Sequence, residues 1–171
     1  QSIRDSLKAS GEDPAKLTDF YFDMIASALK DKPADMALLV HLCRGNYKGH
    51  WMGQGGYDPI AERLFSEPGI DGYLLEYDSE RAGSFAPLRF LPKGKRGYLG
   101  LISSKTGALE DIDSLRRRLD EAFKHAPEER LGVSPQCGFA SSVGGNPITE
   151  AEEWAKLARV TELARAVWGT N

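Results

Sequence analysis

Four short apolar runs, set among stretches of helical periodicity, constrain this chain more than any other feature. The runs cover residues 36–41, 72–76, 96–103 and 130–134. Stretches with helix-like spacing separate them, except at residues 79–95, which carry Pro and Gly and read as a loop with a poorly defined helix or turn. Leu17, Phe20, Tyr21, Met24, Ile25, Ala28 and Leu29 recur at helical intervals before the first run. Residues 58–65 read as a short helix with Asp58 as its cap and Pro59 at its first position. Ile112, Leu115, Leu119 and Phe123 repeat in the same way, and Pro127 closes that stretch. Thr149 and Glu152 make a capping-box pattern for a last helix, expected to bury Trp154, Leu157, Ala158, Thr161, Ala164 and Trp168. Strands that alternate with helices predict an α/β fold built of parallel βα units. No run alternates strongly between apolar and polar residues, which suits a sheet covered on both faces.

A length of 171 residues fits one domain. The formal charge of −3 and the absence of a Lys/Arg block argue against a nucleic-acid footprint. Arg116, Arg117 and Arg118 sit among Asp111, Asp113, Asp120 and Glu121 and read as a solvated helix face. No apolar run reaches the length of a membrane span, and the polar start at residues 1–10 does not resemble a signal peptide. A cytoplasmic protein with no membrane partner is expected. Gln1 is not a start methionine, so the chain reads as a piece of something longer.

In a parallel sheet the downstream ends of all strands share one edge, where ligands bind in open α/β sheets and in barrels. The first run ends in His41-Leu42-Cys43. Residues two apart on an extended backbone point the same way, so an imidazole and a thiol project together. The second run ends at Glu76, the third leads to Lys105 and the fourth to Cys137. His41, Cys43, Glu76 and Cys137 are all of metal-ligand type. The two cysteines also fit buried free thiols or a disulfide.

One imidazole, two thiolates and one carboxylate suit zinc best. Two thiolates and a neutral imidazole would already balance the charge of the ion. Such a site polarises a carbonyl poorly, yet it strips the proton from an incoming thiol. Glu76, the hardest donor, is the expected exchangeable ligand. The expected chemistry is attack of a thiolate on an electrophilic carbon. The glycine-rich stretch from Gly45 to Tyr57 reads as a lid or as a connector. It matches neither a phosphate loop nor a dinucleotide fingerprint.

His41-Leu42-Cys43-Arg44-Gly45-Asn46, the strand ending at Glu76, Lys105-Thr106-Gly107-Ala108-Leu109-Glu110 and Leu131-Gly132-Val133-Ser134-Pro135-Gln136-Cys137-Gly138-Phe139 resemble the cobalamin-independent methionine synthase family. The resemblance runs from about Asp19 to Trp168 and is closest to the short single-barrel members. It implies a TIM-type (β/α)8 barrel, zinc, and methyl transfer from a methylated folate to homocysteine in methionine biosynthesis. By position it carries the zinc-ligand role to His41, Cys43, Glu76 and Cys137. Two departures stand out. This chain has about four βα units where a barrel has eight, so residues 1–171 match the C-terminal half. The segments that hold the amino and carboxyl groups of homocysteine would lie mostly upstream of Gln1. Lys105 stands near the place where full-length synthases carry a histidine proton donor, and is a candidate catalytic residue. Half a barrel leaves open edges, so the N-terminal half or a second chain is an expected partner. Alone, the half is expected to bind zinc weakly and catalyse nothing. A non-catalytic zinc-binding or interaction domain is the competing reading. A decarboxylase of the uroporphyrinogen type shares the barrel, but it needs no zinc and has no use for the His-x-Cys and Cys-Gly-Phe pair.

Overall fold

A computed structural model describes residues 2–169. Two helices open the chain, α1 (Ser2–Ala9) and α2 (Pro14–Ala28). Asp13 caps α2 by accepting from the Ala15 N–H, and Pro14 takes the first position, where a missing N–H costs nothing. The elements β1 (Leu39–Leu42), α3 (Ala61–Ser66), β2 (Gly72–Glu76), β3 (Arg96–Ile102), α4 (Ile112–Phe123), β4 (Leu131–Pro135) and α5 (Glu150–Trp168) follow. Two 3₁₀ turns, Glu80–Ala82 and Ala86–Phe90, connect β2 to β3. The strands pair in the order β1-β2-β3-β4, all parallel. The alternation expected from the sequence is therefore the alternation observed.

Register decides which residues share a face. His41 lies opposite Leu74, Glu76 opposite Gly100, and Gly100 opposite Ser134. Tyr73, Leu75, Leu99 and Leu101 are buried with Leu64, Phe65, Leu88, Leu115, Leu119 and Leu163 in one core. The Tyr73 ring meets Phe65 edge-on at 4.8 Å, and its hydroxyl donates to the Leu64 carbonyl of α3 at 3.0 Å. Gly100 has no room for a side chain, because a Cβ there would come within 3.0 Å of the Gln136 backbone and the Leu75 carbonyl. The pairing shifts register just after Gly100. That irregularity bends the end of β3 where the chain turns toward Lys105.

Four expectations need correction. The sheet is not covered on both faces. Leu39 and His41 are exposed, and Leu74, Tyr98 and Ser134 are half-buried, so β1 alternates where a strand buried on both sides would not. Helix α3 starts at Ala61, not at 58; Ile60 is its cap without a side-chain bond, and Asp58 faces Arg89 instead, at 3.5 Å. Helix α2 leaves Phe20, Tyr21 and Met24 more than half exposed, and its inward residues are Phe22, Ile25 and Leu29. Helix α5 is rotated from the expected stripe. Trp154 is 64% exposed, whereas Lys156, Val160, Leu163, Val167 and Trp168 face inward. The cause is polar. Lys156, fully buried, pairs with Glu110 at 2.9 Å and donates to the Ala108 carbonyl, which fixes the rotation of the helix. The capping box on Thr149 and Glu152 is present as expected. Among the described residues, no helix is long and apolar enough to cross a membrane.

Candidate metal centre

The site forms where the downstream strand ends meet. His41 is on β1 and Cys43 is the first residue beyond it. Cys137 follows β4 by two residues, and Glu76 is the last residue of β2. The Cys43 and Cys137 sulfurs lie 3.3 Å apart, although 94 residues separate them. His41 Nε2 is 3.7 Å from the Cys137 sulfur. The donor atoms of His41, Cys43 and Cys137 all fall within 4.8 Å of one another. Glu76 stands at the rim of this group, with Oε2 3.9 Å from the Cys137 sulfur.

Both cysteines are free thiols. Burial, helped by the adjacent Cys43 sulfur, pushes the Cys137 thiol up to about 12. Two neighbouring sulfurs cannot both ionise cheaply unless something positive lies between them. The residues fit a zinc ion. A tetrahedral zinc holds sulfur at about 2.3 Å, which sets neighbouring sulfurs about 3.8 Å apart. The observed sulfur–nitrogen distance of 3.7 Å is close to such an edge, and the sulfur–sulfur distance of 3.3 Å is about 0.5 Å shorter than one.

Glu76 is fully buried, and both of its oxygens are held. Oε2 accepts the Arg44 backbone N–H at 2.9 Å, and Oε1 takes an Arg81 guanidinium nitrogen. Lys105 Nζ lies 3.7 Å from Oε1. Burial alone would raise the Glu76 pKa; the Arg81 hydrogen bond, the Arg44 N–H and the Lys105 charge outweigh it, and the carboxyl sits below the ordinary glutamate range. Arg81 also grips Asp78 at 3.0 Å and lies 5.0 Å from the Trp51 ring.

Several positioning residues had no role in the sequence reading. Arg44 donates to Gly55 O, to the Tyr57 hydroxyl and to Glu76 O, all at 2.8–2.9 Å, and its guanidinium stacks 4.1 Å above the Tyr57 ring. The Glu76 N–H in turn donates to that hydroxyl at 2.8 Å. Residues 45–57 are thus stitched to the end of β2, which favours the reading of this stretch as part of the site. Asn146 is the second pin. Its amide donates to Ser104 O at 2.9 Å, and its oxygen accepts from Gly49 N at 3.2 Å and from Ser141 Oγ at 3.1 Å. Three loops, those following β1, β3 and β4, meet at this one side chain. Arg44 had a sequence signal, since it directly follows the His-x-Cys pair; Asn146 had none.

No protein-family model matches the chain. Two Bacillus subtilis proteins do: the uncharacterized protein YxjG is 42% identical over 163 residues, or 95% of this chain, and the uncharacterized protein YxjH is 43% identical over 166 residues, or 96%. A Listeria monocytogenes crystal structure, provisionally named a vitamin-B12-independent methionine synthase, superposes on 94% of this chain with a TM-score of 0.71 and 40% identity. The likeness in sequence and fold to that structure supports membership of the B12-independent methionine synthase family. A second family structure, a Shewanella sp. W3-18-1 synthase in complex with selenomethionine, covers 91% of the chain at TM-score 0.71 and 19% identity, a likeness of fold. The chain spans less than half the length of these relatives: 43% of YxjG, 44% of YxjH and 44% of the Listeria protein.

Proposed function

We propose that this chain is the metal-bearing, C-terminal half of a (β/α)8 barrel that transfers a methyl group to a thiol, homocysteine or a close analogue, from a methylated folate. The observation that carries the reading is the meeting of the Cys43 and Cys137 sulfurs at 3.3 Å beside His41, at the ligand-binding edge of a parallel sheet. His41, Cys43 and Cys137 would hold zinc, with Glu76 as the fourth, exchangeable donor. Bound zinc would supply one thing: a thiol held deprotonated, and therefore nucleophilic, at neutral pH.

The protein residues do the rest. Arg81 and the Arg44 N–H give the Glu76 carboxylate a second home, so it can leave the donor group without becoming a bare buried charge. Arg44 and Tyr57 fix the backbone on either side of Cys43 and Glu76. Asn146 holds the loops that carry Cys43, Lys105 and Cys137 in one arrangement. Trp51, half exposed above Arg81, offers a flat surface beside the site for an aromatic methyl donor.

The test is methylation of homocysteine by the zinc-loaded full-length protein with methyltetrahydrofolate as donor. Formation of methionine, lost in Cys43→Ser, supports the proposal. Stoichiometric zinc with no thiol alkylation would instead favour a zinc-binding domain without catalysis.

A further inference from the structure

In Arg81 the Glu76 carboxylate and the loop after β1 meet on one side chain. That side chain is 8% exposed and reaches two carboxylates, Glu76 through Oε1 and Asp78 at 3.0 and 3.2 Å. The other terminal nitrogen donates to the Gly53 carbonyl at 3.1 Å. The Arg81 carbonyl accepts the Gly55 N–H at 2.9 Å, and the Trp51 ring lies 5.0 Å from the guanidinium. Residues 51–55 therefore rest on Arg81 through both its backbone and its side chain. Lys105, the second cation near Glu76, stands 3.7 Å from Oε1 and makes no hydrogen bond. Arg81 holds the carboxylate, whereas Lys105 adds only charge.

The backbone around Arg81 is braced. The 3₁₀ turn Glu80–Ala82 runs into Gly83, where a Cβ would come within 2.7 Å of Gly56 Cα, so the loop packs directly on the turn. The pairing is also asymmetric. If Glu76 turns toward the Cys137 sulfur, 3.9 Å from its Oε2, Arg81 keeps Asp78 as a counter-charge. Without Arg81, a withdrawn Glu76 would be a fully buried carboxylate bonded only to the Arg44 N–H. A buried charge stripped of its partner is strongly unfavourable.

We infer that Arg81 is a positioning residue that couples the loop of residues 45–57 to the exchange of Glu76 at the metal centre. The inference rests on the thiol-acceptor reading above. In the exchange, the Glu76 oxygen gives up its place to the substrate sulfur, the thiol proton goes to solvent, and the carboxylate stays ionised on Arg81. The returning carboxylate adds a second anchor to the guanidinium, which then bears more firmly on Gly53 and Trp51. The loop is tightest when the thiol is in place.

The experiment uses the full-length protein loaded with Co²⁺. Its absorption spectrum follows homocysteine binding, and hydrogen exchange read by mass spectrometry follows residues 45–57. Wild type, Arg81→Lys and Arg81→Met are compared, each also in a Glu76→Gln background. Homocysteine affinity is expected to fall at least about tenfold in Arg81→Met, and by less than about threefold when the same change is made in the Glu76→Gln background. Arg81→Lys, which keeps the charge but not the fork, should fall between wild type and Arg81→Met. At saturating thiol, exchange across residues 51–55 should slow in wild type and stay unchanged in Arg81→Met and in Glu76→Gln. A merely structural arginine would lower affinity equally in both backgrounds. That equal loss, or a wild-type loop whose exchange ignores the thiol, would overturn the coupling and leave the proposed function standing. If Arg81→Met takes up no cobalt, Arg81→Lys in the two backgrounds is judged by the same criteria. If homocysteine leaves the wild-type cobalt spectrum unchanged, the proposed function fails and the coupling with it.

Discussion

Glu76 and Tyr57 carry the balance of the site at the scale of single residues. The Glu76 carboxyl is held below its ordinary range by Arg81, Arg44 and Lys105 against the cost of burial. A depressed carboxylate stabilises the fold fully above its unfolded pKa, and that contribution disappears as pH falls through the lower, folded value. The metal-free protein should therefore lose stability progressively in acid, below the ordinary glutamate range. Chemical denaturation of Glu76→Gln across that range should show a flatter acid limb. Tyr57→Phe removes a hydroxyl that accepts both the Arg44 guanidinium and the Glu76 N–H. Two buried donors are left without that partner, so a loss of about 1–3 kcal/mol is expected in urea titration. At this scale the sequence was most informative where alternation governs direction. His41 and Cys43 had to point together because they lie two apart on an extended segment. Cys137 and Glu76 had to reach the same edge because the strands are parallel. Arg81 was illegible, since its grip on Glu76 and Asp78 depends on a 3₁₀ turn whose geometry no periodicity encodes.

At the scale of elements, α5 separates what pattern can and cannot tell. Its start was readable, because Thr149 and Glu152 satisfy each other's backbone donors whatever the rest of the fold does. Thr149→Ala should cost about 1 kcal/mol, measured as a drop in thermal or urea stability with the same transition slope. Its facing was not readable. Apolar residues lie nearly all round the helix, and the deciding contact is Lys156 to Glu110, a charge pair that a hydrophobic stripe argument assigns to solvent. Glu110→Ala leaves that lysine buried and uncompensated. The expected loss is about 3 kcal/mol, accompanied by loosening of the Ser103 N–H that Glu110 also holds, readable by amide exchange. The short α3 was misplaced at its start for a similar reason, as Tyr57 is pinned to the end of β2 and the chain turns before the helix begins.

At the scale of the molecule, the parallel sheet has two edge strands, β1 and β4, and one face with partial cover. Leu39 on β1 and Phe20, Tyr21 and Met24 on α2 remain exposed. The proposal that the chain forms half of a closed barrel accounts for both features, since a preceding strand would pair with β1 and the lumen would cover the inner face. Sedimentation of residues 1–171 alone should then show concentration-dependent association, whereas a chain of the relatives' length should not. Fold class was legible because four apolar runs alternating with helical periods admit few arrangements. The degree of closure was not, because on the half-barrel proposal the contacts that close the sheet would come from residues outside this sequence.

Zinc stoichiometry and affinity of the full-length protein, measured beside its Cys43→Ser and Cys137→Ser variants, bear most directly on the convergence of the two strand ends. One zinc per chain in wild type, with affinity lowered at least about tenfold in each variant, is the predicted result. Two variants that bind zinc as tightly as wild type would contradict the account, whatever the two sulfurs' proximity.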